Sequence, residues 1–217
     1  MSPLVNPAAL FRIRLVAPRR ERLWPPSSWD LDDTCRIPSF ADVAGVPDVV
    51  DLWTAWNPEG LALRSVARQV PGARWCHPTR PEDSDGLHLW IATRPTGDSH
   101  RAGRYCHRLA LLPTGGGRLA DKPVAVAATI PRTSETPSEL PAGAISIDAT
   151  STPDGWMINA FIRAAALHGW DPVEMPRLGF FVAMVDRRLG KVPCFAPPEY
   201  PWDSDPTTWA ELELRSA

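Results

Sequence analysis

The sequence has no long hydrophobic segment and no large excess of charge of either sign. None of its apolar runs approaches roughly 18 residues, which excludes a membrane-spanning helix. The 217 residues carry a formal net charge of −2. That balance excludes a strongly basic nucleic-acid binder and a polybasic membrane anchor, because both need a clear cationic surplus. We therefore expect neither a nucleic-acid partner nor a membrane.

The common catalytic signatures are also missing. There is no Gly-x-Ser-x-Gly, no P-loop and no His-Glu-x-x-His, which removes the standard serine hydrolase, nucleotide-binding and zinc-protease motifs. The glycines at 115–117 are not followed by Lys-Ser/Thr, so they do not form a phosphate-binding loop. We predict no catalytic residue, and hence a protein that is not an enzyme.

Cysteine is scarce and widely spaced, with single residues at 35, 76, 106 and 194 and no Cys-x-x-Cys. The first residues combine no basic segment with an apolar run and contain two prolines, so we predict no cleavable signal peptide. The expected compartment is the cytoplasm, where thiols stay reduced.

Two cysteines precede histidines, in Cys76-His77 and Cys106-His107. Two thiolates and two imidazoles could form a tetrahedral zinc site. Adjacent residues of a strand point to opposite faces, however, so one pair can rarely give both its ligands to one metal. We predict no metal site, and keep a metal protein or enzyme using these pairs and His88 as an alternative.

Lysine and tyrosine are rare, at two residues each, whereas the chain has 25 Pro, 10 Trp and 21 Arg. Proline lacks an amide donor and interrupts helices, so the composition favours short strands and turns.

Alternating apolar and polar residues broken by turn residues predict about nine or ten strands and no long helix. The clearest is the hairpin of strands 49–56 and 61–68, joined by Asn-Pro-Glu-Gly, in which Gly60 takes positive φ. The remaining strands are predicted at 11–16, 85–93, 105–112, 124–130, 144–149, 156–162, 178–186 and 209–214.

The predicted fold class is all-β: a single antiparallel β-sandwich of immunoglobulin-like or jelly-roll-like two-sheet architecture with long Pro-rich loops. We expect one domain over 1–217, with an N-terminal strand and surface segment in 1–29. Residues 23–37, rich in Trp, Pro and Asp, are predicted to form irregular chain over the surface.

Tryptophans in polar, loop-like sequence are the best candidate ligand-binding residues. An indole offers a flat apolar face and an N–H donor, and a sugar ring can stack on such a face while nearby carboxylates and amides bind its hydroxyls. Trp75 is the first candidate, with His77, Asp83 and Asp85 as polar neighbours. Trp170 and Trp202, each followed by Asp, come next. The alternative is that these rings close the ends of the sandwich.

Three segments resemble the family 9 carbohydrate-binding modules and the wider DOMON-like sandwiches. They are Leu52-Trp53-Thr54-Ala55-Trp56-Asn57-Pro58-Glu59-Gly60-Leu61-Ala62-Leu63, Asp85-Gly86-Leu87-His88-Leu89-Trp90-Ile91 and Gly155-Trp156-Met157-Ile158-Asn159-Ala160-Phe161-Ile162. With Leu178-Gly179-Phe180-Phe181 and the closing 209–214, the similarity covers about 30–214. The resemblance implies a β-sandwich and saccharide binding.

The sequence departs from this family at three positions. The family usually has Glu at the position of His88, and Glu and Pro at those of Asn159 and Arg163. Calcium needs several oxygen ligands, so the loss of two carboxylates weakens any calcium or polar sugar site that the resemblance implies. We expect no cofactor, with calcium possible only at a weakened site.

The sequence thus predicts a non-catalytic module that binds a saccharide or a similar polar ring ligand by Trp stacking. The leading alternative is an interaction or scaffold sandwich that has lost sugar binding and buries its Trp-rich surface against a protein partner or a second copy of itself. Trp and Arg, both abundant here, are the residues enriched at interface hot spots.

Overall fold

Two β-sheets form this protein, as described by a computed structural model for residues 12–133, 135 and 139–216. The strands are β1 Arg14–Pro18, β2 Arg36–Ile37, β3 Val50–Asn57, β4 Gly60–Ala67, β5 Gly86–Ala92, β6 Cys106–Gly116, β7 Lys122–Ala127, β8 Ile145–Thr152, β9 Gly155–Arg163, β10 Arg177–Asp186, β11 Gly190–Pro193 and β12 Ala210–Arg215. Within these residues, one short helix, α1, spans Ala41–Ala44, and four single 3₁₀ turns lie at Asp33–Cys35, Pro81–Asp83, Ala164–Ala166 and Pro206–Thr208. No helix in the described ranges is long and apolar enough to cross a membrane.

The seven-stranded first sheet has the order β1-β12-β10-β5-β6-β7, with β11 paired to β10. The five-stranded second sheet has the order β2-β3-β4-β9-β8. The predicted β-sandwich is therefore confirmed. One pair differs from the antiparallel expectation, because β1 runs parallel to β12. These strands come from opposite ends of the chain, so no hairpin dictates their direction.

The hairpin of β3 and β4 is confirmed, with Val50 paired to Ala67 and Asn57 to Gly60. Asn57 builds the turn, since its side-chain oxygen accepts from the Glu59 N–H at 2.9 Å. Gly60 has a φ of 154°, and a Cβ there would collide with the carbonyl oxygen of Ile162 on β9. Glycine is thus needed both for the turn and for the close approach of β9.

The main core joins apolar residues of both sheets and extends from Leu15 to Leu214. Strand alternation explains it on β5, where Leu87, Leu89 and Ile91 point to one face and His88 and Trp90 to the other. All five side chains are buried, so the second face of β5 is covered as well. The chain segment after β11 provides that cover through Phe195 and Trp202, which pack against Phe181 of β10.

Residues 23–37 are more ordered than the predicted surface segment. Leu23, Leu31 and Cys35 are buried and form a second, smaller core with Ala55, Ala62 and Phe161 of the second sheet. Their apolar side chains cover the face of that sheet, and the segment ends in the two-residue strand β2.

Candidate functional site

Trp75 lies in the segment between β4 and β5, and we call residues 71–85 the Trp75 loop. Its backbone pairs with the end of the same loop. The Trp75 N–H donates to Asp85 Oδ2 at 2.7 Å and the Asp85 N–H donates to the Trp75 carbonyl at 2.9 Å. Ser84 Oγ accepts from the His77 N–H at 2.9 Å. These bonds fix the backbone under the indole, so the ring is held by the loop and not by its own hydrogen bonds.

The indole of Trp75 is half-buried and surrounded by polar side chains. The guanidinium carbons of Arg80 and Arg187 lie 5.1 and 4.9 Å from its ring centre, and the His77 ring lies 4.5 Å away. Cations are attracted to an indole face at this range. Arg80 also forms an ion pair with Asp83 at 2.9 Å, and both of these side chains are largely exposed. Trp75, His77 and Asp83 are therefore brought together at the surface, with Arg80 and Arg187 added.

Asp85 has a different position from the other predicted neighbours. It is only 2% exposed, and its second oxygen accepts from the Arg187 N–H at 2.8 Å. Burial raises the pKa of this carboxyl, while the two backbone donors from Trp75 and Arg187 favour its charged form. Both oxygens are thus bonded within the protein, and Asp85 ties the Trp75 loop to the end of β10.

Trp202 and Trp170 are not at this surface. Trp202 is 4% exposed; it stacks on Phe181 with ring centres 5.2 Å apart and meets Trp90 edge-on at 5.3 Å. Trp170 is half-buried and donates from Nε1 to the Pro58 carbonyl at 3.2 Å. Within the described chain, no ring contact joins either of them to Trp75. Trp202 is therefore part of the core, and Trp170 is bonded to the turn between β3 and β4.

Behind the Trp75 loop lies a buried polar pair, His88 and Arg108. His88 Nε2 lies 3.0 Å from the Ser84 carbonyl, which assigns the proton to this nitrogen, and Nδ1 accepts from Arg108 Nη2 at 3.3 Å. Burial, helped by the charge of Arg108, lowers the pKa of His88 to about 3. The imidazole is therefore neutral. A guanidinium at this distance also does not suit Ca²⁺, so His88 and its neighbours do not fit a calcium site.

Arg108 was missed by the sequence reasoning. It is 3% exposed, donates to the Thr129 carbonyl at 3.0 Å and lies 4.8 Å from the Trp90 ring centre. Burial lowers its pKa, opposed by the more distant carboxylates of Glu82, Asp203 and Asp83. The available signal was a single arginine inside the apolar strand 105–112. Its partner could not be inferred, because this depends on the register that places it opposite Trp90.

Three buried donors in this region have no hydrogen-bond acceptor among the described residues: Arg108 Nε, Trp90 Nε1 and Trp202 Nε1. Their side chains are in contact, since the Trp90 ring touches both Arg108 and Trp202. Buried polar atoms are satisfied in most proteins, so these three donors mark the part of this region where hydrogen bonding within the chain is incomplete. We call Trp90, Arg108 and Trp202 the donor cluster.

The Cys-His pairs do not converge. Cys76 Sγ donates to the Asp85 carbonyl at 3.3 Å, and the buried His107 has its Nε2 3.2 Å from the His168 carbonyl. Residues 12–133, 135 and 139–216 contain no group of three His, Cys, Asp or Glu side chains that could hold a metal ion.

No protein-family model matches this sequence, and no curated protein sequence matches it. Solved structures with a similar fold were found. A family 9 carbohydrate-binding module from Caldicellulosiruptor kristjanssonii in complex with cellotriose is similar with a TM-score of 0.59 and 11% identity, over 94% of each chain. The family 9 module from the same organism in complex with glucose gives 0.58 and 12%, over 94% of this chain and 96% of that one. The chain therefore has the fold of a family 9 carbohydrate-binding module.

Proposed function

We propose that this protein is a non-catalytic module that binds saccharides, with the indole of Trp75 as the stacking platform. The observation that carries the proposal is the environment of that indole: a half-buried ring on a backbone fixed by Asp85, surrounded at the surface by side chains that donate and accept hydrogen bonds. An apolar face bordered by such groups matches a sugar ring, which presents an apolar face and a rim of hydroxyls.

The polar groups divide into two chemical roles. His77, Arg80 and Arg187 can donate to sugar hydroxyl oxygens, and Asp83 can accept from a hydroxyl. The exposed guanidiniums now over the indole are held by weak surface interactions, so a sugar ring can replace one of them at little cost. The ring would then keep the same aromatic face and gain contact area.

The donor cluster supports the same class of ligand. Arg108 Nε, Trp90 Nε1 and Trp202 Nε1 are three donors without acceptors, and a sugar hydroxyl is an acceptor that carries no charge. Ser84 connects the two places, because its carbonyl bonds His88 and its side chain bonds His77.

The two structures of similar fold contain cellotriose and glucose, which makes these sugars the first ligands to test. In isothermal titration calorimetry we expect binding of cellotriose or glucose to the wild type. Trp75→Ala should weaken it by about tenfold or more, since a central aromatic contact contributes at least about 1.4 kcal/mol.

The matched control is Trp53→Ala. Trp53 is also half-buried and also lies under a guanidinium, with the Arg36 carbon 5.5 Å from its ring centre, but it belongs to the second sheet. Equal thermal stability of the two variants would show that lost binding is local. If the wild type binds neither sugar, or if both variants weaken binding equally, the assignment of the platform to Trp75 is wrong.

A further inference from the structure

A cavity of about 360 Å³ opens at the end of β5 that is farther from the Trp75 loop. Its floor is one row of residues across five strands of the first sheet. Cys106 pairs with Ala92, Ala92 with Gly179, Gly179 with Glu211, and Glu211 with Arg14. Paired residues share a face of the sheet. All five residues line the cavity. Ala92 carries only a methyl group and Gly179 has no side chain, so the middle of this row leaves space above the sheet.

The walls add two aromatic residues and an arginine-rich loop. Tyr105 and Trp209 line the sides, and the loop between β5 and β6 contributes Arg94 and Arg101. Tyr105 is itself flanked by cations, since the guanidinium carbons of Arg94 and Arg104 lie 5.5 and 4.9 Å from its ring centre. The cavity therefore combines apolar and aromatic lining with charged groups, the usual composition of a small-molecule site.

The charge of the lining is strongly positive. Among the described residues, four arginines line the cavity (Arg12, Arg14, Arg94 and Arg101) against one carboxylate, Glu211. Glu211 is already paired, with Arg14 at 3.4 Å and with Arg177 at 3.7 Å. The nearby Asp205 is paired with His100 at 2.8 Å. Arg94 and Arg101 have no ion-pair partner among the residues that the structure describes.

Arg94 also has a buried donor, because its Nε is out of contact with solvent and has no hydrogen-bond acceptor in the described structure. A guanidinium presents its N–H groups in a fork that matches the oxygens of a carboxylate or a phosphate. An anion in the cavity would offset the charge of this guanidinium.

We propose that this arginine cavity binds a small organic oxyanion, whose carboxylate or phosphate contacts Arg94 and Arg101 and whose apolar body lies over Ala92 and Gly179 on the floor of the cavity. The site is independent of the proposed function. His88 and Ala92 are four residues apart on β5, which separates the two places by roughly 13 Å. Trp75 does not line the cavity.

The test is calorimetry at low ionic strength with four probes: inorganic phosphate, glucose 6-phosphate, glucuronate and neutral glucose. At least one of the two organic anions should bind to the wild type. Arg94→Gln and, separately, Arg101→Gln should each weaken it by about tenfold or more, the effect expected for loss of a charge-assisted hydrogen bond. Arg101 is exposed, so its variant should fold even if Arg94→Gln does not.

Arg118→Gln is the matched control, since Arg118 is exposed and outside the cavity; it should change affinity less than about twofold. Trp75→Ala should leave anion binding unchanged, which separates this site from the saccharide site. Binding of inorganic phosphate alone would overturn the proposal of an organic ligand. It would also be overturned if no anion bound at about 10 mM, or if Arg118→Gln weakened binding as much as the cavity variants.

Discussion

His88 couples the buried polar pair to pH. Its pKa is lowered from 6.5 to about 3 in the folded protein. Between pH 6.5 and pH 3 the unfolded chain therefore binds a proton at His88 that the folded chain does not bind. Stability is therefore retained above about pH 6.5 and lost as the pH falls toward 3, with a slope of at most about 1.4 kcal/mol per pH unit.

We expect His88→Gln to reduce this dependence, since glutamine can still donate to the Ser84 carbonyl but does not titrate. The decrease in unfolding free energy from pH 7 to pH 5 should shrink by roughly 2 kcal/mol, measured by urea unfolding at both pH values. A smaller slope should persist from His107, whose pKa burial also lowers. Equal slopes for variant and wild type would mean that His88 is not buried as a neutral group.

The structure places Trp75 half-buried, beside His77 and near Asp83. For these residues the sequence predicted a ligand-binding group. It did not distinguish Asp85, whose two oxygens are turned inward by a bond to Arg187 over 100 residues away. Whether these residues contact a ligand stays a prediction.

Asp85 joins two elements, the Trp75 loop and β10. In Asp85→Asn, one accepting oxygen is replaced by an NH₂ group that faces a backbone N–H, so a buried hydrogen bond is lost and a donor is left unpaired. We expect a loss of about 1–3 kcal/mol in unfolding free energy, together with weaker saccharide binding because the Trp75 backbone is released. Urea unfolding and calorimetry measure the two effects.

The control is Asp83→Asn, two residues away. The Asp83 side chain is largely exposed and forms only a surface ion pair with Arg80, so its stability should change by no more than about 0.5 kcal/mol. If both variants unfold at the same urea concentration, the bonds of Asp85 do not hold the loop to β10.

Elements set by local sequence could be predicted, whereas those that depend on distant pairing partners could not. The β3–β4 hairpin follows from a local turn, Asn-Pro-Glu-Gly, between two apolar runs, and the structure confirms it within one residue at each end. Strands β2 and β11, of two and four residues, are too short for alternation to be visible. They exist because the outer side of β3, and the part of β10 beyond its pairing with β12, would otherwise leave backbone groups unpaired.

For the whole molecule, the order of the strands depends on contacts between the ends of the chain, as in the pairing of β1 with β12. Trp202 also acts over a long range, because it packs the segment between β11 and β12 against the first sheet. Its ring packs on Phe181 and Trp90, and its carbonyl accepts from Trp209 Nε1 at 2.7 Å. Trp209 in turn lines the arginine cavity, so both proposed sites depend on this segment.

Trp202→Ala should therefore lower the unfolding free energy by about 3–5 kcal/mol, the usual effect of truncating a buried aromatic residue. Trp202→Phe should recover most of that loss, since a phenyl ring still packs on Phe181 and Trp90 and fills most of the space that alanine leaves empty. Urea unfolding followed by circular dichroism avoids the change in fluorescence that removing an indole causes. An alanine variant as stable as wild type that no longer bound saccharide would instead make Trp202 a direct ligand contact, exposed when the sugar binds.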